Sequence, residues 1–159
     1  MTTTIRELVP NLSSALRLIV AGLRDIPGEK FIVRMRTFGA VLEDDDGSEV
    51  CCGCAATCAL QKLFNKRLSV NNISRASTRA SFFDVSFNDL VTFEEVIERI
   101  RSKSDHAVNI VLDYWNLSIS HCNYIKDILA ELPELTNYYK EADLIVYDKI
   151  ANELEKIGL

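Results

Sequence analysis

The chain reads as a mainly α, single-domain protein: an α+β fold in which a small β element accompanies about five helices. Three observations predict this. Apolar residues recur at helical spacing through most of the 159 residues. Capping residues and helix breakers bracket those stretches. Period-two alternation is confined to a short stretch around Phe31 to Phe38.

The elements follow in order. Thr4-Ile5-Arg6-Glu7 has the form of a capping box. Pro10 suits a first helical turn and not an interior, so the first main helix is placed near it. Leu12, Leu16, Ile19 and Leu23, with Ala15 and Val20, form its apolar stripe, and Ile26-Pro27-Gly28 stops it. In EKFIVRMRTF, Phe31, Val33 and Met35 alternate with Arg34 and Arg36, as in a strand. EDDDGSE follows as a solvated turn. It has the look of half an EF-hand loop, without the alternating ligands or the closing Glu.

Gly53 to Phe64 turns helical again, and its almost wholly apolar surface places it in the core. Ser69 to Asp89 is the least periodic segment and reads either as a long loop or as two short strands under Phe82, Phe83, Val85 and Phe87. Thr92-Phe93-Glu94-Glu95 reads as a capping box opening a helix with Phe93, Val96, Ile97 and Ile100 on one face. HAVNIVLDYWNL fits a buried strand or a short buried helix equally well, with Trp115 and Tyr114 as core anchors. A further helix runs to about Glu131. A last one spans about Glu134 to Ile157, with Tyr138, Ala142, Ile145, Ile150, Leu154 and Ile157 along one face and Gly158 at the C′ position.

Composition bounds the function. The chain is 48% hydrophobic and 26% charged, a globular balance, with a net charge of −5. That charge leaves no bulk basic footprint, so no nucleic-acid partner is expected. The longest apolar stretch, LRLIVAGL, is interrupted by Arg17 and followed by Arg24, so no membrane span is expected. MTTTIRELVP lacks the basic and apolar regions of a secretory signal. A cytoplasmic protein with reduced thiols is expected, organised as one domain over residues 1–159. No cofactor is implied.

EVCCGCAATCAL concentrates Cys51, Cys52, Cys54 and Cys58, four of the five cysteines. Three readings stand. Cys54 and Cys58 lie one turn apart and can chelate together, but four cysteines in eight positions do not make the two separated knuckles of a structural zinc site. A thiol at a helix N-terminus is activated by the macrodipole. Alternatively, Cys, Gly, Ala and Thr form a run of small residues that lets a central helix pack closely.

Two resemblances attach to this region. Cys51-Cys52-Gly53-Cys54-Ala55 resembles the Cys-Gly-Ser/Ala-Cys-aromatic element of papain-like cysteine peptidases, with the glycine displaced and no aromatic after the cysteine. That resemblance implies a small hydrolase or transferase with Cys54 as nucleophile and His106 as base, on a strand formed by DHAVNIV. Asp113 or Asn116 would orient the imidazole. The stretch from LRDIPGEKF to CCGCAATCAL also resembles a set of small bacterial and phage proteins of unknown function. Leu23, Ile26, Pro27 and Phe31 match their Leu-x-x-(Ile/Leu)-Pro-x-x-x-Phe phrase. Cys52-Gly53 matches their Cys-Gly-Thr-x-x-Cys helix start, with Cys54 in place of threonine. That likeness carries no known activity and implies a helical domain with an uncharacterised role; a phage or mobile-element origin would suit it, and inhibition of a host complex would then be a natural role.

The remaining candidates are binding residues. Tyr138, Tyr139 and Tyr147 do not all fit one core-facing stripe, so an exposed aromatic face for a protein partner is expected, with homodimerisation through the last helix as one form of it. Arg75 and Arg79 in SRASTRAS are candidates for holding an anion. The leading expectation is a non-enzymatic interaction or regulatory module, and the alternative is the cysteine enzyme.

Overall fold

The computed structural model describes residues 3–25 and 31–159. Among them are eight α-helices and a three-stranded sheet. The mainly α class with a small β element is as expected. The helix count exceeds five because α1 (Ile5–Leu8), α4 (Ala76–Phe83) and α6 (Ala107–Tyr114) were not read as definite helices from the sequence.

Thr4 caps α1, its hydroxyl accepting from the Glu7 N–H at 3.1 Å. The Asp89 carboxylate accepts the Ile5 N–H at 2.8 Å and ties this single turn to a later helix. The second helix, α2 (Leu12–Arg24), starts just beyond Pro10. Asn11 and Ser14 cap it reciprocally, each side chain accepting the other residue's N–H. Its buried stripe is the predicted one, Leu12, Ala15, Leu16, Ile19, Val20 and Leu23. It ends at Arg24 with Asp25 as cap; the expected stop at Ile26-Pro27-Gly28 lies outside the described residues.

The sheet has the order β1-β3-β2. Strand β1 (Phe31–Val33) is shorter than the alternation suggested, and Arg36 already sits at φ 71°. Strand β2 (Ala40–Glu43) pairs antiparallel with β3 (Glu49–Gly53) through the predicted acidic turn. In that turn the Asp44 N–H donates to Ser48 O at 2.7 Å, and Gly47 takes φ +84°. Strand β1 runs parallel to β3, with Phe31 opposite Cys51 and Val33 opposite Gly53. Cys51 and Cys52 therefore belong to the central strand and not to a helix start, which corrects the sequence reading.

The small residues that follow build α3 (Ala55–Phe64), buried from Ala55 through Gln61. It packs on α2 where that helix carries Gly22. A β-carbon there would stand 2.7 Å from the Cys58 carbonyl carbon and oxygen and 2.8 Å from the Ala59 nitrogen. The small-residue run thus does what the third reading of the cysteines proposed: two helix backbones meet where neither has room for bulk.

Ser69 to Asp89 is neither a long loop nor a pair of strands. It contains α4 and the start of α5 (Phe87–Arg101). Ser86 caps α5, accepting from the Asp89 N–H at 3.1 Å. Thr92 is interior to α5, its hydroxyl donating to Asn88 O at 2.6 Å, so the apparent capping box at Thr92 does not open the helix.

After α6, a 3₁₀ turn at Ile119–His121 leads into α7 (Cys122–Glu131), close to the expected position. The last helix, α8 (Glu141–Lys156), is shorter than expected and buries Leu144, Tyr147, Ile150, Ala151 and Leu154. Of the residues read along one face, Ile150 and Leu154 are buried while Tyr138, Ala142, Ile145 and Ile157 are exposed, and Gly158 adopts φ +79° as a C′ residue should. Helix α8 packs on α2 as α3 does, and one core cluster runs from Ile5 to Leu159. No helix among the described residues is long and apolar enough to cross a membrane.

Candidate functional site

The cysteines are spread over two elements. Cys51 and Cys52 are adjacent on β3, so their side chains leave opposite faces of the sheet. The Cys51 thiol donates to Leu68 O at 3.9 Å. Cys54 is the N-cap of α3, its sulfur 3.8 Å from Thr57 Oγ1 and making no capping bond. Cys58, one turn on, lies at the α2 contact. Burial raises the pKa of all four thiols, that of Cys58 to about 12. At Cys54 the loss of water outweighs both the helix terminus and the nearby backbone N–H groups that favour a thiolate. Among the described residues no group of three or more His, Cys, Asp or Glu is placed to hold a metal ion.

The papain-like arrangement needs an activated thiol and a histidine delivered by a strand. The chain from Ala107 to Tyr114 is the helix α6, and His106 is its exposed N-cap residue. No hydrogen bond joins the His106 imidazole to Cys54. Asp113 is exposed on the same helix. Cys54, His106 and Asp113 thus do not form a nucleophile, base and orienting acid.

The three tyrosines also separate. Tyr138 is 89% exposed, in the segment before α8. Tyr139, in the same segment, is half-buried, its hydroxyl donating to Leu23 O at 3.3 Å. Tyr147 is fully buried on α8 and donates to Pro133 O at 3.1 Å. The aromatic face expected on the last helix therefore reduces to Tyr138 alone. Arg75 is the exposed N-cap residue of α4. Arg79 is buried and bound on two sides, to Glu94 and to Ile73 O at 2.7 Å, so its guanidinium is not available to an external anion.

A cleft between α5 and α6 carries different chemistry. Its volume is about 520 Å³, and its walls are Phe38, Val91, Val96 and Ile110. Glu95 and Asp113 bring carboxylates to it. Glu95 is paired with Arg99 at 2.7 Å, while the Asp113 carboxylate has no hydrogen-bond or ion-pair partner among the described residues. A polar cleft of about 320 Å³, lined by Arg6, Asn88 and Asp89, adjoins it and shares Thr92, Asp113 and Tyr114.

Tyr114 stands where the two clefts meet. Its ring packs edge-on against Trp115, centroids 4.7 Å apart, and Trp115 donates from its indole to Val9 O at 2.8 Å. The predicted core anchors are thus in place. The Tyr114 backbone carbonyl accepts from Arg6 Nη1 at 3.3 Å. Its hydroxyl is buried and has no hydrogen-bond partner. Burial raises the pKa of this phenol, Asp89 raises it further, and Arg6 opposes the shift. The hydroxyl therefore remains a neutral group with donor and acceptor capacity unused. Sequence reasoning took Tyr114 only as core filling; the available signal was a phenol inside an apolar run, which needs a partner for its hydroxyl.

No family model matches the chain, and no curated protein or solved structure matches it.

Proposed function

We propose that the chain is a non-enzymatic protein-interaction module that seats a basic, amphipathic segment of a partner protein in the α5–α6 cleft. The observation that carries this reading is the apolar α5–α6 cleft whose lining includes the unpartnered Asp113 carboxylate. The apolar walls offer side-chain burial, as in a helix-in-groove contact, and about 520 Å³ is enough for one or two large side chains. The free Asp113 carboxylate, beside Asp89, selects a cation next to those apolar groups. Buried thiols with raised pKa and an unengaged His106 support a non-enzymatic reading over a cysteine enzyme.

The test uses two dye-labelled amphipathic helical peptides with the same Leu stripe at helical spacing, one with Lys and one with Glu on the opposite face. Fluorescence anisotropy should show saturable binding of the Leu/Lys peptide only, with methyl NMR shifts at Val91, Val96 and Ile110. Val91→Asp, checked for an unchanged melting temperature, should abolish it. Equal binding of both peptides, or shifts mapping elsewhere, would reject the cleft as the site.

A further inference from the structure

We infer that the C-terminal end of α3 carries a second site, independent of the α5–α6 cleft, that binds the phosphate group of a small phosphate monoester. A cavity of about 250 Å³ there is lined by Asp25, Gln61, Lys62, Asn65, Lys66 and Arg67.

The argument begins with Gln61. This side chain is 4% exposed, unusual for a glutamine. Its Oε1 accepts the Leu68 N–H at 2.8 Å. That bond fixes which way the amide faces, because a flipped amide would set two donors against each other. The Nε2 group, the other half of the amide, is buried with no acceptor. A fixed, unsatisfied donor on a residue that lines a cavity calls for an acceptor.

The charges around it set the acceptor's sign. Lys62, Lys66 and Arg67 outnumber the single carboxylate of Asp25, a local positive surplus on a chain of net charge −5. Lys62 is held by Asp25 at 2.9 Å. Lys66 donates to Phe82 O at 3.2 Å and lies 5.6 Å from the centre of that ring. The Arg67 guanidinium makes no hydrogen bond or ion pair among the described residues, though its charge reaches Asp25 and helps lower that carboxyl's pKa, so its fork has hydrogen-bond donors for a ligand. The negative end of the α3 dipole opposes an anion here. Two of its last four carbonyls, Gln61 O and Lys62 O, are already taken by the Asn65 and Lys66 N–H groups, which lessens that opposition.

The donor count selects the anion. An arginine fork, two ammonium groups, the Gln61 amide and the Asn65 side chain offer more donors than the two oxygens of a carboxylate can accept. A phosphate monoester presents three oxygens with nearly two negative charges. Its volume leaves room for a small attached group and not for a second phosphate-bearing chain.

The probe is inorganic phosphate, titrated into ¹⁵N-labelled protein at constant ionic strength. The Gln61 side-chain NH₂ resonances should shift saturably, and glycerol 3-phosphate should reproduce the shift. Arg67→Ala, at an exposed position that makes no bond in the fold, should weaken binding by about tenfold or more. Gln61→Glu keeps the acceptor for Leu68 and should abolish binding. A shift that chloride reproduces at matched ionic strength would reduce the effect to screening and overturn the site. Binding confined to vesicles of anionic phospholipid, with none to either soluble phosphate, would overturn the small-molecule assignment. Unchanged affinity in Arg67→Ala would do the same.

Discussion

Arg79 on α4 and Glu94 on α5 meet inside the core as a forked ion pair, Nε giving to one carboxylate oxygen at 3.2 Å and Nη2 to both at 3.1 Å. Both side chains are almost wholly excluded from water. Such a pair adds little net stability over an apolar pair of the same shape, yet breaking it strands a buried charge. Arg79→Ala is expected to cost about 3–5 kcal/mol in urea unfolding. The double variant Arg79→Met/Glu94→Leu should recover most of that loss, short of about 1 kcal/mol for the unclaimed Ile73 carbonyl. Equal losses in the single and double variants would show that α4 is held by its other contacts.

The contact of Gly22 with Cys58 and Ala59 makes a second prediction. In an exposed helix, Gly→Ala gains about 1 kcal/mol of propensity. Here the added methyl meets backbone atoms that lie 2.7–2.8 Å away and have no rotamer to move into. Gly22→Ala should therefore destabilise by about 1–3 kcal/mol, the usual range for overpacking. Denaturant titration of this single variant decides the sign, and a more stable protein would mean that α2 and α3 can separate freely.

The buried thiols predict an alkaline limb in the stability curve. Folding raises the Cys58 pKa from 9.0 to about 12, so the unfolded chain loses this proton first. The contribution is fully present below about 9 and is lost as pH rises toward about 12. Within that window the slope from one such thiol is about 1.4 kcal/mol per pH unit. Cys51, Cys52 and Cys54 shift in the same direction and steepen the fall. Urea unfolding at stepped pH should show the decline, and Cys58→Ala should flatten it by about one thiol's share. A flat curve through this range would show the thiols to be hydrated.

The sequence made legible what rests on a single apolar stripe with its caps. The stripe of α2, the turn before β3, the position of α7 and the core role of Trp115 all came from local pattern. Strand β3 did not, because it is central and buried from Val50 to Gly53 on both faces, so nothing in it alternates. Helix α4 was hidden because its core-facing side includes Arg79, whose partner Glu94 lies fifteen positions on. A buried ion pair erases the apolar period from which helices are read. Thr92 illustrates the converse error, a capping sequence used inside a helix. The tyrosines failed for a geometric reason: α8 begins at Glu141, so Tyr138 and Tyr139 never share its helical period. The candidate cleft was the least legible part. Phe38, Val91 and Ile110 come from three separate segments, and only the fold brings them together in one cleft with Tyr114.

The packing of α2 against both α3 and α8 also bears on how the chain is made. As the protein leaves the ribosome, α2 emerges more than a hundred residues before α8. Its apolar stripe then waits on a growing chain without that cover. Contacts so far apart in sequence form late, after most of the polypeptide has appeared. Until then the nascent chain presents Leu16, Ile19 and Leu23 to whatever surrounds it, a stage at which chaperone holding and self-association compete.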